Sequence, residues 1–301
     1  SAGLSVRKRW GPAAFFLVLG TGAWANWNDQ GSVSKEIHDP EPAEWTKKLK
    51  NHVGNGRVVG LGWALQPNTG ALIGIQDLRG YDLPVSKDTE RLQMALNPRP
   101  IRPWFQLNKT PSVNLLRWSG VRAILSTEPI APHLELGDAP LYASQLTDAH
   151  PPAWKATSPR LEQDPNHAVK QLLNAKPEHP PVEKLQGSWP TVGHVQPTSQ
   201  FERTTRTVSF LVDGPDPGIA VLTDSWHPGW RVTVDGSPAE ALRVGGVFRG
   251  VLVPEGAHRV EWRFDPWGWK LGCGLFWLGL GLLGLSYRRN EDRSSRSKSP
   301  Q

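Results

Sequence analysis

The runs LTDSWHPGWRVTVDG at residues 222–236, HRVEWRFDPWGWK at 258–270 and LGCGLFWLGLGLLGLSYRR at 271–289 decide the fold, because the chain changes character across them. The first two alternate apolar and polar positions and are punctuated by Pro-Gly and Asp-Gly, the pattern of strands joined by tight turns. The third carries no charge from 271 to 287, and with Trp267 and Trp269 it nears the roughly 20 residues needed to cross a hydrocarbon core. Trp267 and Trp269 suit one wet interface, while Arg288 and Arg289 suit the cytoplasmic side of the other. A buried helix of a soluble core keeps a polar face, and this run has none. The chain therefore reads as a β-domain leading directly into a transmembrane helix at 267–287, with a basic cytoplasmic tail at 288–301.

Working outward, RTVSFLVDG, PGIAVLTDSW, GWRVTVDG, AEALRVGG, VFRGVLVPEG and AHRVEWRF repeat the alternation and predict an antiparallel β-sandwich over 201–266. Upstream, RVVGLGWAL at 57–65 reads as a buried strand. SKDTERLQMAL at 86–96 reads as a helix opened by Ser86, with Glu90 and Arg91 on its outer side. VNLLRWSGVRAILS reads as a short helix turning through Gly120 into a strand, and PAEWTKKLK as a short helix with Pro42 near its start. Strand, helical connection and strand give a small α/β lobe at 28–145. The proline-rich stretch at 146–200 reads as a connection holding one short helix at 166–173. The expected fold class is α+β and membrane-anchored: a small α/β lobe followed by an antiparallel β-sandwich, flanked by two transmembrane helices.

The first of those two helices is the apolar segment at 10–27, behind a basic cytoplasmic flank at 1–9 that includes Arg7, Lys8 and Arg9. Ala23-Trp24-Ala25 also matches a signal-peptidase site. Retained or cleaved, the segment places 28–266 outside the cytoplasm, and the expected location is the bacterial cytoplasmic membrane. The chain begins with Ser1 and its single Met is Met94, so it reads as a processed product or as the C-terminal part of a larger protein.

Composition narrows the function. The 28 Pro and 30 Gly favour loops and short strands over long helices. The net charge of +6 does not indicate a nucleic-acid partner. Arg7, Lys8, Arg9, Arg288, Arg289, Arg293, Arg296 and Lys298 lie in the two membrane flanks and account for the excess. The one cysteine, Cys273, falls inside the C-terminal span, so the outer domain builds its core without a disulfide of its own. The 9 His are scattered, with no His-x3-His or Cys-x2-Cys pair, and no metal or cofactor is expected.

Two segments carry candidate ligand chemistry. Asp77, Arg79, Tyr81 and Asp82 cluster in a turn-rich stretch, where Arg79 can pair with a phosphate and the carboxylates can bind sugar hydroxyls or a cation. Equally, Asp77 and Arg79 can close on each other as an ion pair. In SWHPGW, Asp224, Trp226 and His227 set hydroxyl-binding groups beside an aromatic face that can stack on a sugar ring. Against this, Pro228-Gly229 is an ordinary turn, and Trp230, Val232 and Val234 continue a core face. The Gly-rich run GNGRVVGLG at 54–62 has its third glycine at Gly60, one place too late for a dinucleotide cradle, and a strand follows instead of a helix. Of the 15 Trp, Trp63, Trp104, Trp118, Trp154, Trp189 and Trp226 remain for ligand contact once those near the spans and in the strand faces are set aside. No G-x-S-x-G and no His-Asp-Ser grouping is recognisable, so no catalytic residue is assigned.

AVLTDSWHPGWRVTVDG, followed by VFRGVLVPEGAHRVEWRFDP and the terminal span, resembles the C-terminal region of the YfhO-type bacterial membrane proteins. GWALQPNTGALIGIQDLRGYDLP and LLRWSGVRAILS are similar to that family's outer lobe, so the resemblance covers most of 57–289. It implies a polytopic membrane protein related to the C-type glycosyltransferases, which transfer a sugar from a polyprenyl-phosphate donor on the outer face of the membrane. Such enzymes carry an early acidic outer-loop residue in a multi-span part that has no counterpart here. The function implied is an extracytoplasmic accessory region of a membrane glycosyltransferase-like protein, acting in cell-envelope glycan or polymer modification. The partners implied are the lipid bilayer, an envelope glycan or polyprenyl-linked sugar, and a membrane protein. The residues alone also allow a tethered noncatalytic carbohydrate-binding module or a structural envelope interaction domain.

Overall fold

The computed structural model describes residues 44–62, 64–66, 69–79, 86–96, 111–136 and 140–296, with 287–296 as backbone only. The chain divides into compact units at residues 1–47 and 48–301. Of the first, only the opening turn of helix α1 (Glu44–Val53) is described. The apolar segment at 10–27 lies outside the described residues.

The second unit begins with a mixed sheet and its connecting helices, which together form a lobe. Its five-stranded sheet has β1 (Arg57–Gly60), β2 (Gln76–Asp77), β3 (Val121–Ser126), β4 (His133–Glu135) and β5 (Tyr142–Gln145) in the order β2-β1-β3-β5-β4. β1 is parallel to both β2 and β3, and the other pairs are antiparallel. Helices α2 (Thr69–Leu72), α3 (Lys87–Leu96) and α4 (Val113–Trp118) connect them. Ser86 Oγ accepts from Thr89 N at 3.1 Å, so α3 starts where its capping residue predicts. Gly120, at φ +70°, turns α4 into β3. The strand expected over 57–65 is shorter: it ends at Gly60, and Gly62 at φ +55° turns the chain away.

The sandwich is larger than its sequence pattern indicates. Its outer sheet has five strands, β10 (Ser199–Arg203), β11 (Thr207–Val212), β13 (Trp230–Val234), β14 (Ser237–Ala239) and β17 (His258–Phe264), in the order β10-β11-β17-β13-β14. Its middle sheet has seven. Among these, β12 (Gly218–Ser225), β15 (Leu242–Val244) and β16 (Phe248–Val253) come from the alternating region. The other four come from the stretch expected to be a connection: β6 (Ala153–Ala156), β7 (Arg160–Leu161), β8 (Pro181–Val182) and β9 (Val195–Pro197). The order is β7-β8-β15-β16-β12-β6-β9, antiparallel except for the β7/β8 pair. The helix expected at 166–173 is α5 (Pro165–Gln171), capped by Asp164.

The middle sheet is buried on both faces. On β12, Ala220 and Leu222 join Phe210, Val260 and Trp262 of the outer sheet in one core. Ile219 and Val221 of the same strand join Trp118, Leu116 and Leu172 in a second core, which spans the lobe, α3, α4 and α5. The unit therefore has layers on either side of a central sheet, and burying each large apolar side chain contributes roughly 1.5–3 kcal/mol.

After β17 the chain passes through Asp265 and Pro266 into α6 (Trp267–Arg296). Within α6, Trp267–Ser286 is long and apolar enough to cross a membrane, and it is the one such helix among the described residues. Its side chains are not covered by the rest of the molecule: Trp269 is 73 % exposed and Phe276 61 %.

Candidate functional site

Asp224 is the hub of the most highly charged interior site among the described residues. By alternation along β12 it follows Ala220 and Leu222 on the face toward the outer sheet, and a register shift after Leu222 brings it beside β16. There it meets three guanidinium groups, one from each sheet. Arg57, at the start of β1, bonds Asp224 Oδ1 through Nη2. Its Nη1 donates to the Ser119 carbonyl at 2.8 Å and to Thr223 Oγ1 at 2.7 Å. Arg203, at the end of β10, is bidentate, with Nη1 3.0 Å from Oδ2 and Nη2 3.0 Å from Oδ1. Arg249, from β16, places Nη2 2.6 Å from Oδ2.

These contacts commit both carboxylate oxygens. Burial alone would push the Asp224 carboxyl up, but Arg57, Arg249 and Arg203 outweigh it and hold the group below its usual range. A carboxylate so held is a poor general base and has no oxygen left for a sugar hydroxyl. The charges do not balance, since three cations share one anion. Burial, Arg203 and Arg57 pull the Arg249 pKa down to about 10 against the attraction of Asp224. Aromatic faces make up part of the deficit: the Arg249 guanidinium lies 3.7 Å from the Trp230 ring centroid and 5.4 Å from that of Trp262.

The neighbouring candidates are also engaged internally. Arg243 lies over the Trp226 ring at 4.1 Å, so one stacking face is taken. Arg243 is itself held by Glu183, at 3.4 Å, and by Asp88, at 3.4 Å. His227 is exposed, and its Nδ1 accepts from Gly229 N at 3.0 Å while its carbonyl accepts from Trp230 N at 3.0 Å. This is the Pro228-Gly229 turn closing on itself. The His227 ring also packs, tilted, against Phe264 with centroids 5.5 Å apart.

Asp77 and Arg79 form the ion pair that their spacing permits. Arg79 donates to Asp77 through Nε at 3.1 Å and Nη2 at 2.9 Å, and to the Leu65 carbonyl at 2.6 Å. Both side chains are buried. Burial raises the Asp77 carboxyl, with Arg79 opposing. A Cβ on Gly60 would sit 2.7 Å from Arg79 Nη2, which explains a glycine at that point in the run. Tyr81 and Asp82 lie outside the described residues, as do Trp63 and Trp104. The Asp77 pair and the Asp224 hub are separate clusters with no shared hydrogen bond among the described residues.

Of the tryptophans left for ligand contact, Trp118 and Trp154 are fully buried core residues, with ring centroids 5.4 Å apart. His150 packs against both, at 5.4 and 5.1 Å, and burial, reinforced by Arg117 and opposed by Glu178, brings its pKa down to about 4.

No family model, curated protein or solved structure matches the chain. What the site can do rests on its own geometry, and that geometry is of a joint: Asp224 ties all three sheets together through partners at positions 57, 203 and 249. These arginines were not singled out by sequence. Arg249 carried a signal, because in FRGVLV it shares the inward parity of Val251 and Val253. A charge at a core position implies a buried partner, and Asp224 shows the same inward parity on β12.

Proposed function

We propose that the chain is a membrane-tethered, extracytoplasmic accessory region of a glycosyltransferase-like membrane protein, acting in cell-envelope glycan or polymer modification. Its part is to hold an acceptor near the bilayer while the transfer is carried out by a multi-span part. The observation that carries the tethering is the junction at Asp265 and Pro266, where the last sandwich strand passes into an apolar helix with outward-facing side chains. The resemblance read from the sequence over most of 57–289 to YfhO-type proteins supports the link to lipid-linked sugar transfer.

A second reading, a structural interaction domain of an envelope complex, is favoured by the internal engagement of Asp224 and Trp226. Purification from membranes in mild detergent, followed by binding assays with envelope glycans, separates the two. The accessory reading expects the chain in the membrane fraction and saturable glycan binding. A stable protein partner without glycan binding supports the interaction domain, and a chain recovered wholly in the soluble fraction contradicts both.

A further inference from the structure

The end of the outer sheet from which α6 departs is basic, and its arginines make no contact ion pair among the described residues. Arg231 on β13 and Arg263 on β17 are direct cross-strand partners. Both are exposed, and by alternation both point away from the core that holds Val232 and Trp262. Like charges set opposite each other destabilise a sheet unless something outside neutralises them. Arg206, also exposed, lies at the same end, its carbonyl accepting from Phe264 N at 2.9 Å. None of the three forms an ion pair among the described residues. Asp265, which follows β17, is held by Lys270 at 2.7 Å, and its carboxyl is drawn below its usual range by Lys270 first and more weakly by Arg263 and Arg231, so one acid is shared among three cations.

The placement of charge is polar along the strand. The next outward position on β17 is Glu261, about 7 Å further from the helix. Beyond it, Arg259 is satisfied by Ser209 at 3.1 Å and Glu202 at 3.7 Å. The arginines without partners are thus the ones nearest α6. Arg263 is four residues from Trp267, a reach of at most about 14 Å, so its guanidinium can enter the headgroup layer whenever Trp267 and Trp269 sit at the interface.

We infer that Arg206, Arg231 and Arg263 form a binding surface for the phosphates of anionic lipid headgroups in the leaflet that the sandwich faces. This rests on the tethering proposed above. Guanidinium–phosphate pairing supplies the missing counter-charge for the Arg231/Arg263 pair. It also fixes the tilt of the sandwich on the bilayer, a constraint that a single helix does not impose.

The test uses the full chain reconstituted in phosphatidylcholine bilayers, with spin-labelled phosphatidylglycerol and spin-labelled phosphatidylcholine as probes. Flotation comes first: a chain that does not float with the vesicles fails the tethering and this inference together. For a chain that floats, the expected result is selective association of phosphatidylglycerol over phosphatidylcholine. The selectivity should fall by up to about fivefold for each of Arg231→Ser and Arg263→Ser at low ionic strength, and be weakened by salt. Arg259→Ser, on the same face but paired, should keep it. In neutral detergent the two serine variants should melt no lower than the parent, because a repulsion has been removed. Equal association of both lipids with the floating parent, or selectivity unchanged in the Arg231→Ser, Arg263→Ser double variant, overturns the inference while leaving the tethering intact.

Discussion

Two regions of this molecule invert the usual partition of side chains, and they do so in opposite senses. Around Asp224, charged groups are withdrawn from water: Arg249 is 2 % exposed and Asp224 9 %. Along α6, apolar groups are left outside, with Trp267 70 % exposed and Trp277 68 %. The first inversion is compensated in part within the chain, by the hydrogen bonds to Asp224 and by the Trp230 and Trp262 faces. The second has no covering partner among the described residues, and the tethering proposed above would supply one in the form of a bilayer. An internal partner makes a region structural, whereas a missing one marks where the molecule meets its surroundings.

The comparison can be broken most sharply at Asp224. Asp224→Ala leaves three arginines facing one another with no anion, and should cost about 3–5 kcal/mol of unfolding free energy. Denaturant titration of the full chain in detergent measures it. A cost below about 1 kcal/mol would mean that the arginines find other partners and that the hub is dispensable. On the other side, Leu278→Asp near the middle of the apolar span should cost about 2.5–3.5 kcal/mol of insertion free energy. It should shift the chain toward the alkaline-extractable fraction while leaving the sandwich's thermal melt unchanged. A smaller effect, about 1–3 kcal/mol, is expected for Arg249→Met, because Asp224 keeps Arg57 and Arg203 and the repulsion among the cations falls.

The smallest expected effect concerns His150. Its folded pKa of about 4 lies below the ordinary value of 6.5, so protonation is disfavoured in the folded state. The stability this contributes is present above pH 6.5 and is lost as pH falls toward 4. His258 acts in the opposite direction: hydrogen bonding to Asp235 raises its pKa, so its contribution is present below pH 6.5 and is lost as pH rises. Comparing the parent with His150→Gln between pH 5 and 6.5, where every other titration is common to both chains, should show a shallower acid loss in the variant. Equal slopes would mean that His150 is free to take up a proton in its aromatic surroundings.

The alternating strands and the apolar helix were legible in the sequence because each is defined by near neighbours. Trp230, Val232 and Val234 declare a face by themselves, and Asp235 and Gly236, with φ of +51° and +79°, supply the turn that Asp-Gly predicts. The completion of the middle sheet was not legible. β6 reads AWKA, without alternation, because it is buried on both faces and even Lys155 is covered. β8 is a two-residue strand that begins with proline and joins β15 at a single pair, Val182 with Val244. The Asp224 hub was legible only in part. The inward parity of Asp224 and Arg249 could be read from their strands, but Arg57 arrives from 167 residues away and is brought there by the packing of the lobe. Asp77 and Arg79, two residues apart, needed no such packing to be recognised as a pair.

The most direct measurement of the central claim is the sidedness of the two ends of the sandwich–helix junction. With Cys273 replaced by serine, single cysteines at Glu255 and Ser294 are labelled in intact cells with a membrane-impermeant maleimide. The account predicts that Glu255→Cys, in an exposed turn, is labelled at once and that Ser294→Cys is labelled only after the membrane is opened. Equal labelling of both positions before the membrane is opened, or of neither, would contradict a β-domain tethered outside the bilayer by a helix that crosses it.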